Sequence, residues 1–379
     1  MDVVGRPNGP RRISREDFVR PMTRILSVYI DCLRLLAAMT VFIGHANSFE
    51  GGMFGKVGWR AAEAVAVFFV LSGFVISYVA SSAERSAPQY AIARTARLYS
   101  VAVPALALTL LLDALGRAVR PELYDLHSYY NAHTVFADIL RCLTFTNELW
   151  GAHCFVGSDE PYWSLGYEVS YYLVFGIAVF APNQYRLAAV VVALAVIGPN
   201  VIAYFPLWLI GVGCHRALML SKRIPTDSFA ALASGVALWV VSSVLFFVQM
   251  HEKPHPMFDM YLPVRFSADY LHAWLYYHSL GILTAMNILG FGMIAERIKA
   301  LPQTMEAAVR WAAGGTFTLY LTHQPVIVFM TALMPGNPGS HVRQWIVVVL
   351  TLAATYLFAE LGERRKAAWR RWLSSLLPT

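Results

Sequence analysis

Long apolar runs, separated by short polar stretches, recur along almost the whole chain. A helix rises about 1.5 Å per residue, so a run of about twenty residues crosses the roughly 30 Å hydrocarbon core of a bilayer. The pattern therefore predicts an all-α polytopic membrane protein with about ten transmembrane helices. The predicted spans cover roughly residues 24–47, 59–81, 98–115, 162–181, 187–200, 201–220, 229–250, 272–295, 312–334 and 342–361.

Polar segments then divide the chain into three parts. A basic N-terminal tail covers residues 1–23, a transmembrane domain covers 24–362, and a basic C-terminal tail covers 363–379. An outer loop at about 116–161 interrupts the transmembrane domain, and its stretch HTVFADILRCLTF is typical of an amphipathic helix lying at the membrane interface. Cys142 and Cys154 share this loop, where a disulfide and two unpaired thiols both remain open, with unpaired thiols as the default.

Composition and charge support the membrane assignment. Charged residues make up 14% of the chain, against about 25% in soluble domains, and hydrophobic residues make up 57%. The net charge of +7 does not indicate nucleic-acid binding, because Lys and Arg lie at the ends of apolar runs, where they set topology. They concentrate in alternate polar segments, which predicts that the N- and C-termini are both cytoplasmic. The C-terminal tail alone contributes Arg364, Arg365, Lys366, Arg370 and Arg371.

The stretch RLLAAMTVFIGH carries two polar groups that are costly inside a membrane. Arg34 and His45 are eleven positions apart, so they return to within roughly 20° of the same helix face, about 16 Å apart along the axis. Arg34 falls near the middle of the first span, and Asp31 lies one turn before it, able to pair with it. A central Arg costs about 2.5–3.5 kcal/mol on insertion scales, so such groups point into polar cavities. The alternative is a structural ion pair with a histidine at the helix end.

The stretch PYWSLGYEVSYY opens the fourth span and carries a carboxylate at similar depth. Glu168 lies roughly two turns into the membrane from the outer side, which resembles the depth of His45. A carboxylate that reaches an imidazole N–H fixes its tautomer, so we expect Glu168 to orient His45. Trp163, Ser164 and Tyr172 add hydroxyls and stacking surfaces, although an interfacial aromatic belt is an alternative for the aromatic residues.

Two arginines mark the cytoplasmic mouth of the third span. Arg94 and Arg97 are one turn apart in YAIARTARLYSVAVP. Two guanidinium groups at this spacing are able to bind phosphates bidentately. They are equally explained as residues that set the membrane topology.

Two histidine features complete the candidates. His323 lies mid-span beside Pro325, and a structural histidine that hydrogen-bonds across helices is the favoured interpretation. The stretch HEKPH, residues 251–255, matches a zinc-protease pattern, but Pro254 opposes the unbroken helix that this chemistry needs. We therefore expect no metal site.

These motifs, in this order, resemble the membrane-bound acyltransferase-3 family. The first span is similar to the family's opening motif and its Arg-x10-His pair, and VFFVLSGFVIS, with Ser72, resembles its second-helix signature. ARTARLYSVAVP, WSLGYEVSYY and TLYLTHQPV resemble three further family elements, so the likeness runs from about Asp31 to Pro325. One departure is Ser100, which stands where the family commonly has proline.

The resemblance implies a stand-alone O-acyltransferase of a bacterial inner membrane, without an appended esterase-like domain. It would move an acyl group, acetyl being expected, from cytoplasmic acyl-CoA to a hydroxyl of an extracytoplasmic or cell-surface glycan. The acceptor glycan would be an exopolysaccharide, a lipopolysaccharide or a lipo-oligosaccharide. The implied partners are acyl-CoA as donor substrate, the acceptor and membrane lipid, with no bound cofactor and no nucleic acid; the oligomeric state stays open.

The resemblance also implies roles for the candidate residues. His45, oriented by Glu168, would take the proton of the acceptor hydroxyl, and an acyl-His intermediate is a less favoured variant. Arg34 would stabilise either the donor or the developing oxyanion, and Arg94 and Arg97 would bind the donor phosphates. The alternative function is a transporter or exporter of a polar solute or glycan precursor, which also needs intramembrane charges.

Overall fold

A computed structural model describes residues 22–126, 129, 133–221, 229–251, 268–334, 336–337 and 339–375. The predicted N-terminal tail lies almost wholly outside the described residues, as does HEKPH after His251. Within the described residues the chain forms helices joined by short turns and loops, without a strand, so the all-α prediction is confirmed.

Fourteen α-helices follow one another in the described part of the chain. They are α1 (Arg24–Phe49), α2 (Ala61–Ser82), α3 (Ala87–Val119), α4 (Pro121–Leu126), α5 (Val135–Leu143), α6 (Trp163–Phe180), α7 (Asn183–Ile197), α8 (Pro199–Ser221), α9 (Phe229–Gln249), α10 (Ala268–Ala295), α11 (Gln303–Ala313), α12 (Thr316–Leu333), α13 (His341–Ala359) and α14 (Lys366–Ser375).

Seven of the described helices are long and apolar enough to cross a membrane, namely α1, α2, α3, α8, α9, α10 and α13. The chain is therefore an all-α membrane protein. Helix α7 is apolar but shorter, with 15 residues. Helices α6 and α12 have 18 residues each and carry polar side chains such as Glu168 and His323.

Two predicted spans differ from the observed helices. The third helix begins at Ala87 instead of Leu98, because Ser86 caps its N-terminus by accepting from the Gln89 N–H. Arg94 and Arg97 therefore lie inside α3 and not before it.

The predicted ninth span is divided between two helices. Helix α11 ends at Ala313, and α12 begins at Thr316 after the pair Gly314–Gly315. The carboxylate of Glu363 accepts hydrogen bonds from the Thr318 N–H (2.9 Å) and hydroxyl (3.1 Å), so it satisfies an otherwise unpaired amide in the first turn of α12.

Helix α12 lies at the centre of the bundle, packed against α1, α3 and α13. Most of its side chains are buried, including His323 and Gln324. This placement follows from its composition, because polar side chains facing lipid are costly. Helix α9 is the opposite case, since it packs along α10 and buries only Gly235 and Ser242.

Helices α2 and α8 approach each other closely through glycine. A side chain at Gly73 would collide with the backbone oxygen of Trp208, and one at Gly211 with that of Val70. Small residues permit such close helix contacts within membranes. Gly73 belongs to the second-helix signature, and its packing brings the neighbouring Ser72 towards α6 and α8.

The outer loop forms the amphipathic helix that the sequence predicts. Helix α5 exposes Phe136 (72%) and Leu140 (46%) while burying Cys142. Cys142 and Cys154 are both free thiols in the structure.

Candidate active site

Five helices, α1, α2, α3, α6 and α12, line a partly open cavity, which we call the arginine cavity, with about 740 Å³ of empty space including the solvent at its mouth. Its wall combines apolar side chains with a small number of polar and charged ones. Seven residues predicted from sequence line it, namely Arg34, Ser72, Arg94, Arg97, Ser164, Glu168 and Tyr172.

Glu168 is the carboxylate of the arginine cavity. Its Oε1 accepts hydrogen bonds from the Ser72 hydroxyl (2.7 Å) and from the Tyr172 hydroxyl. The indole N–H of Trp208 donates to Ser72 Oγ (3.2 Å), which extends this hydrogen-bond network to α8. Among the described residues, Oε2 of Glu168 has no hydrogen-bond partner, and the side chain is half-buried.

The predicted contact between Glu168 and His45 is wrong. The hydrogen-bond partners of Glu168 within the described chain are Ser72 and Tyr172, and the ring beside His45 belongs to another helix. Depth along a helix axis led to this prediction, but the rotation of α6 turns Glu168 towards α2 and α3 instead.

The two arginines of α3 differ in their surroundings. Arg94 donates to Glu84 (2.6 Å) in a largely buried ion pair and lies 5.9 Å from the ring centres of Tyr90 and Tyr172. The guanidinium of Arg97 lies over the ring of Phe317 at 5.7 Å, and within the described residues it makes no hydrogen bond or ion pair. Of the two, Arg97 is therefore more available to a ligand anion.

Arg34 faces the same cavity from α1. It lies 3.9 Å from Asp31, as the spacing predicts, but Asp31 makes its shorter contact, 3.1 Å, with Arg310 of α11. The other charged groups near Arg34 include Arg97 and Glu363, which belong to the end of the bundle where α12 begins. Glu168 also lies near its guanidinium, which makes no direct hydrogen bond within the described residues.

His45 lies beyond the other end of the cavity, next to His323. The two ring centres are 5.0 Å apart. The Nδ1–H of His323 donates to the Leu319 carbonyl (2.9 Å), because a carbonyl is only able to accept. The Nε2 atom of His323 is then an acceptor, fully buried and without a partner among the described residues. The hydrogen bond that His323 makes is thus within its own helix, and not across helices as predicted.

Tyr320 connects the arginine cavity to this histidine pair. Its hydroxyl is 2.8 Å from the Ser164 hydroxyl, and its ring centre is 6.2 Å from that of His323. Trp163 precedes Ser164 at the start of α6 and packs edge-on against Tyr167. The path from Arg97 to His45 therefore passes Glu168, Ser164 and Tyr320.

Two residues near His45 were not predicted from the sequence. Glu160 lies near enough to His45 to favour a positive charge on its ring, and it accepts a hydrogen bond from Gln324 (3.2 Å). Gln324 directly follows His323, so its position in the sequence could have indicated that it lies near the site. Nothing in the loop sequence indicates Glu160. Across the part of the chain that the structure describes, no group of three or more His, Cys, Asp or Glu side chains is arranged for a metal ion.

A buried pair of acids, one near the end of α3 and one in the outer loop, was also not predicted. Asp113 accepts from the N–H (2.8 Å) and the hydroxyl (2.6 Å) of Ser158. The adjacent Asp159 is fully buried, and neither carboxylate oxygen has a partner among the described residues. Burial, followed by the proximity of Asp113, raises the pKa of Asp159 well above its ordinary value.

Comparison with known families decides the identity of the domain that carries this site. A family profile described as an acyltransferase domain of the acyltransferase-3 type matches residues 27–360. The chain belongs to the acyltransferase-3 family. Searches of curated proteins and of solved structures find no match to the chain. The match includes every residue lining the arginine cavity, together with His45, Glu160 and His323.

Proposed function

We propose that this acyltransferase-3 protein moves an acyl group, acetyl being expected, from cytoplasmic acyl-CoA to a hydroxyl of an extracytoplasmic or cell-surface glycan. Family membership supports the reaction type. The observation that carries the proposal is the arginine cavity, which extends from Arg97 to Tyr320 and ends one ring away from the His45–His323 pair. Such a cavity is able to bind an anionic donor at one end and present its acyl group at the other.

The donor end is formed by three guanidinium groups. Within the described residues the guanidinium of Arg97 has no direct hydrogen bond or ion pair, and that of Arg34 has only a 3.9 Å contact with Asp31, so both would be able to bind the phosphates of acyl-CoA. Arg94 is already paired with Glu84, which makes it a residue that shapes the cavity and supports the field of the other two. Because Arg34 lies among the charges at this end, we assign it to donor binding and not to the oxyanion.

The acyl-transfer step takes place at the histidine end. A ring nitrogen of His45 takes the proton of the acceptor hydroxyl while the hydroxyl oxygen forms a bond to the acyl carbon. The carbon–sulfur bond then breaks, and the imidazolium returns the proton to the departing thiolate of CoA. The carboxylate of Glu160 stabilises the transient imidazolium.

His323 acts on His45 as a positioning residue. Its buried Nε2 is an acceptor without a partner, and its ring adjoins that of His45. A hydrogen bond from one His45 N–H to this atom would fix the tautomer and leave the other nitrogen as the base. This is the role that the sequence had assigned to Glu168.

Hydroxyl groups between the two ends would hold the acyl thioester. Ser164 and Tyr320 lie at the outer end of the cavity, and either hydroxyl is able to donate to a carbonyl oxygen. Glu168, with Ser72 and Tyr172, lies deeper in the cavity, where its unpartnered oxygen would accept a hydrogen bond from the pantetheine amides of the donor.

The proposed topology completes the account. We propose that α6, α7 and α12 also cross the membrane and raise the number of spans from seven to ten. Both termini are then cytoplasmic, in line with the Lys and Arg distribution, and the protein belongs to a bacterial inner membrane.

Inverted and right-side-out membrane vesicles test this function. Acetyl-CoA labelled in its acetyl group is added outside, and lumenal and external glycans are then analysed by mass spectrometry. We expect labelled acetyl groups on lumenal glycan of inverted vesicles that contain the protein, and none in right-side-out vesicles or in vesicles lacking it. Transport of an unmodified solute without any acetyl transfer would overturn the proposal in favour of a transporter.

A further inference from the structure

A second cavity, which we call the lateral groove, lies between α1, α2, α9 and α10 and holds about 1050 Å³ of empty space. Helix α1 separates it from the arginine cavity, since Arg34 lines that cavity and Leu33, Leu36 and Ala37 line the groove. Nothing in the proposed acyl transfer uses this space. Its walls are mostly apolar.

The groove is elongated along the membrane normal and open to its side. Its α1 wall runs from Tyr29 to Thr40, which is about 16 Å along the helix axis. Helix α9 packs on α10 and leaves a gap towards α1. Leu36 and Phe247 border this gap and are 63% and 65% exposed, so the opening faces the hydrocarbon of the bilayer.

The end of the groove near the start of α1 is closed by polar groups that satisfy one another. Trp239 donates to the Tyr29 hydroxyl (2.9 Å), which in turn donates to Asn287. The Asn287 amide donates to Ser243 (2.8 Å). The groove is therefore closed at this end, and these polar groups already have hydrogen-bond partners, so they require none from a bound ligand.

The opposite end of the groove contains an unmet acceptor. Glu63 has no exposed surface, and its Oε1 accepts from Arg60 (2.7 Å) and Tyr276 (3.1 Å). Its Oε2 has no partner within the described residues, and the side chain lines the groove. Because Arg60 already balances the carboxylate charge, the complementary group is a neutral donor such as a hydroxyl.

We propose that the lateral groove binds the hydrocarbon chain of one membrane lipid whose headgroup hydroxyl donates to Oε2 of Glu63. The apolar walls, the lateral opening and the length of the groove fit a single chain extending towards Tyr29. The unpartnered carboxylate oxygen fits the hydroxyl at the outer end. This is a binding site beyond the proposed acyl transfer, and its occupancy is measurable without any enzymatic readout.

A photoactivatable long-chain alcohol, with a diazirine in the middle of its chain, tests this proposal on the purified full-length protein in nanodiscs. Cross-linked peptides are mapped by mass spectrometry. We expect labelling to concentrate on groove residues such as Leu33 and Phe246. The methyl ether of the same probe should label them about tenfold less, because it has no donor for Glu63.

Two variants that introduce the same side chain separate the groove from ordinary lipid contact. Ala64 lines the groove and is 6% exposed, so Ala64→Phe should fill it and lower groove labelling by about tenfold. Val244→Phe adds bulk on the exposed face of α9 and should leave that labelling unchanged. Labelling spread evenly over exposed helix faces, or equal labelling by alcohol and ether, would overturn the proposal even if Ala64→Phe fails to fold.

Discussion

Replacing His323 tests whether the histidine pair works as a unit. His323→Phe keeps a ring of similar size at a position without exposed surface and removes both nitrogens. The lost hydrogen bond to the Leu319 carbonyl contributes about 0.5–1.5 kcal/mol to stability, so the variant should fold. The acceptor that we propose for a His45 N–H is lost at the same time.

The size of the expected effect follows from that lost acceptor. Leaving a buried donor of His45 unsatisfied costs about 1–3 kcal/mol. Each 1.36 kcal/mol corresponds to a tenfold change in rate, so kcat should fall by roughly 5-fold to 150-fold. KM for acetyl-CoA should stay unchanged, because the arginines that bind the donor are at the other end of the cavity. His323→Gln, which returns an amide near the position of Nε2, should restore part of kcat.

The assay measures initial rates of acetyl transfer in inverted vesicles, normalised to the amount of folded protein. His278→Phe is the matched control, since His278 also bonds a carbonyl of its own helix (Trp274, 2.7 Å) and has a buried, unpartnered Nε2. It should leave kcat unchanged. A folded His323→Phe protein with wild-type kcat, or a Gln variant no better than Phe, would refute the positioning role.

Two further predictions concern charged groups. Arg97→Ala should raise KM for acetyl-CoA by roughly 10-fold to 100-fold, because a charged hydrogen bond to the donor is lost. The exposed control Arg85→Ala should leave KM unchanged. Arg94→Ala should instead lower Tm, because it breaks a buried ion pair. A raised pKa means that Asp159 stabilises the fold below the unfolded value of about 3.9 and destabilises it progressively as pH rises through the folded value. Asp159→Asn should therefore have a smaller fall in Tm between pH 5 and pH 8 than the wild type, and an equal fall would contradict this.

The membrane class and most of the polar cavity residues were predictable from the sequence. Apolar run length indicates a span, and an intramembrane charge such as Arg34 marks a polar interior because lipid excludes it. The matching motifs also identified the family, which the profile match confirms. The basic segment before the third span was recognised, although its helical start at Ala87 was not.

The lateral contacts between helices were not predictable. Periodicity gives the face and depth of Glu168 but not which neighbouring helix that face meets, so its pairing with Ser72 instead of His45 depends on tertiary packing. The same limit explains why His323 was not matched to His45. Glu160 and Asp159 were missed because an acidic residue in a polar loop has no sequence signal for burial, which arises only when the loop folds against α3 and α12.

The most direct test of the central claim is the acylation state of surface glycans in cells that produce the His45→Ala variant. Mass spectrometry compares these glycans with those from cells producing the wild type, the exposed-histidine control His341→Ala, or no protein. With equal amounts of each protein in the membrane, we expect the mass increase of one acyl group in the wild type and the control. Loss of the general base should lower the amount of acylated glycan by about 10²- to 10⁴-fold in His45→Ala. Near-normal acylation in His45→Ala would contradict the account.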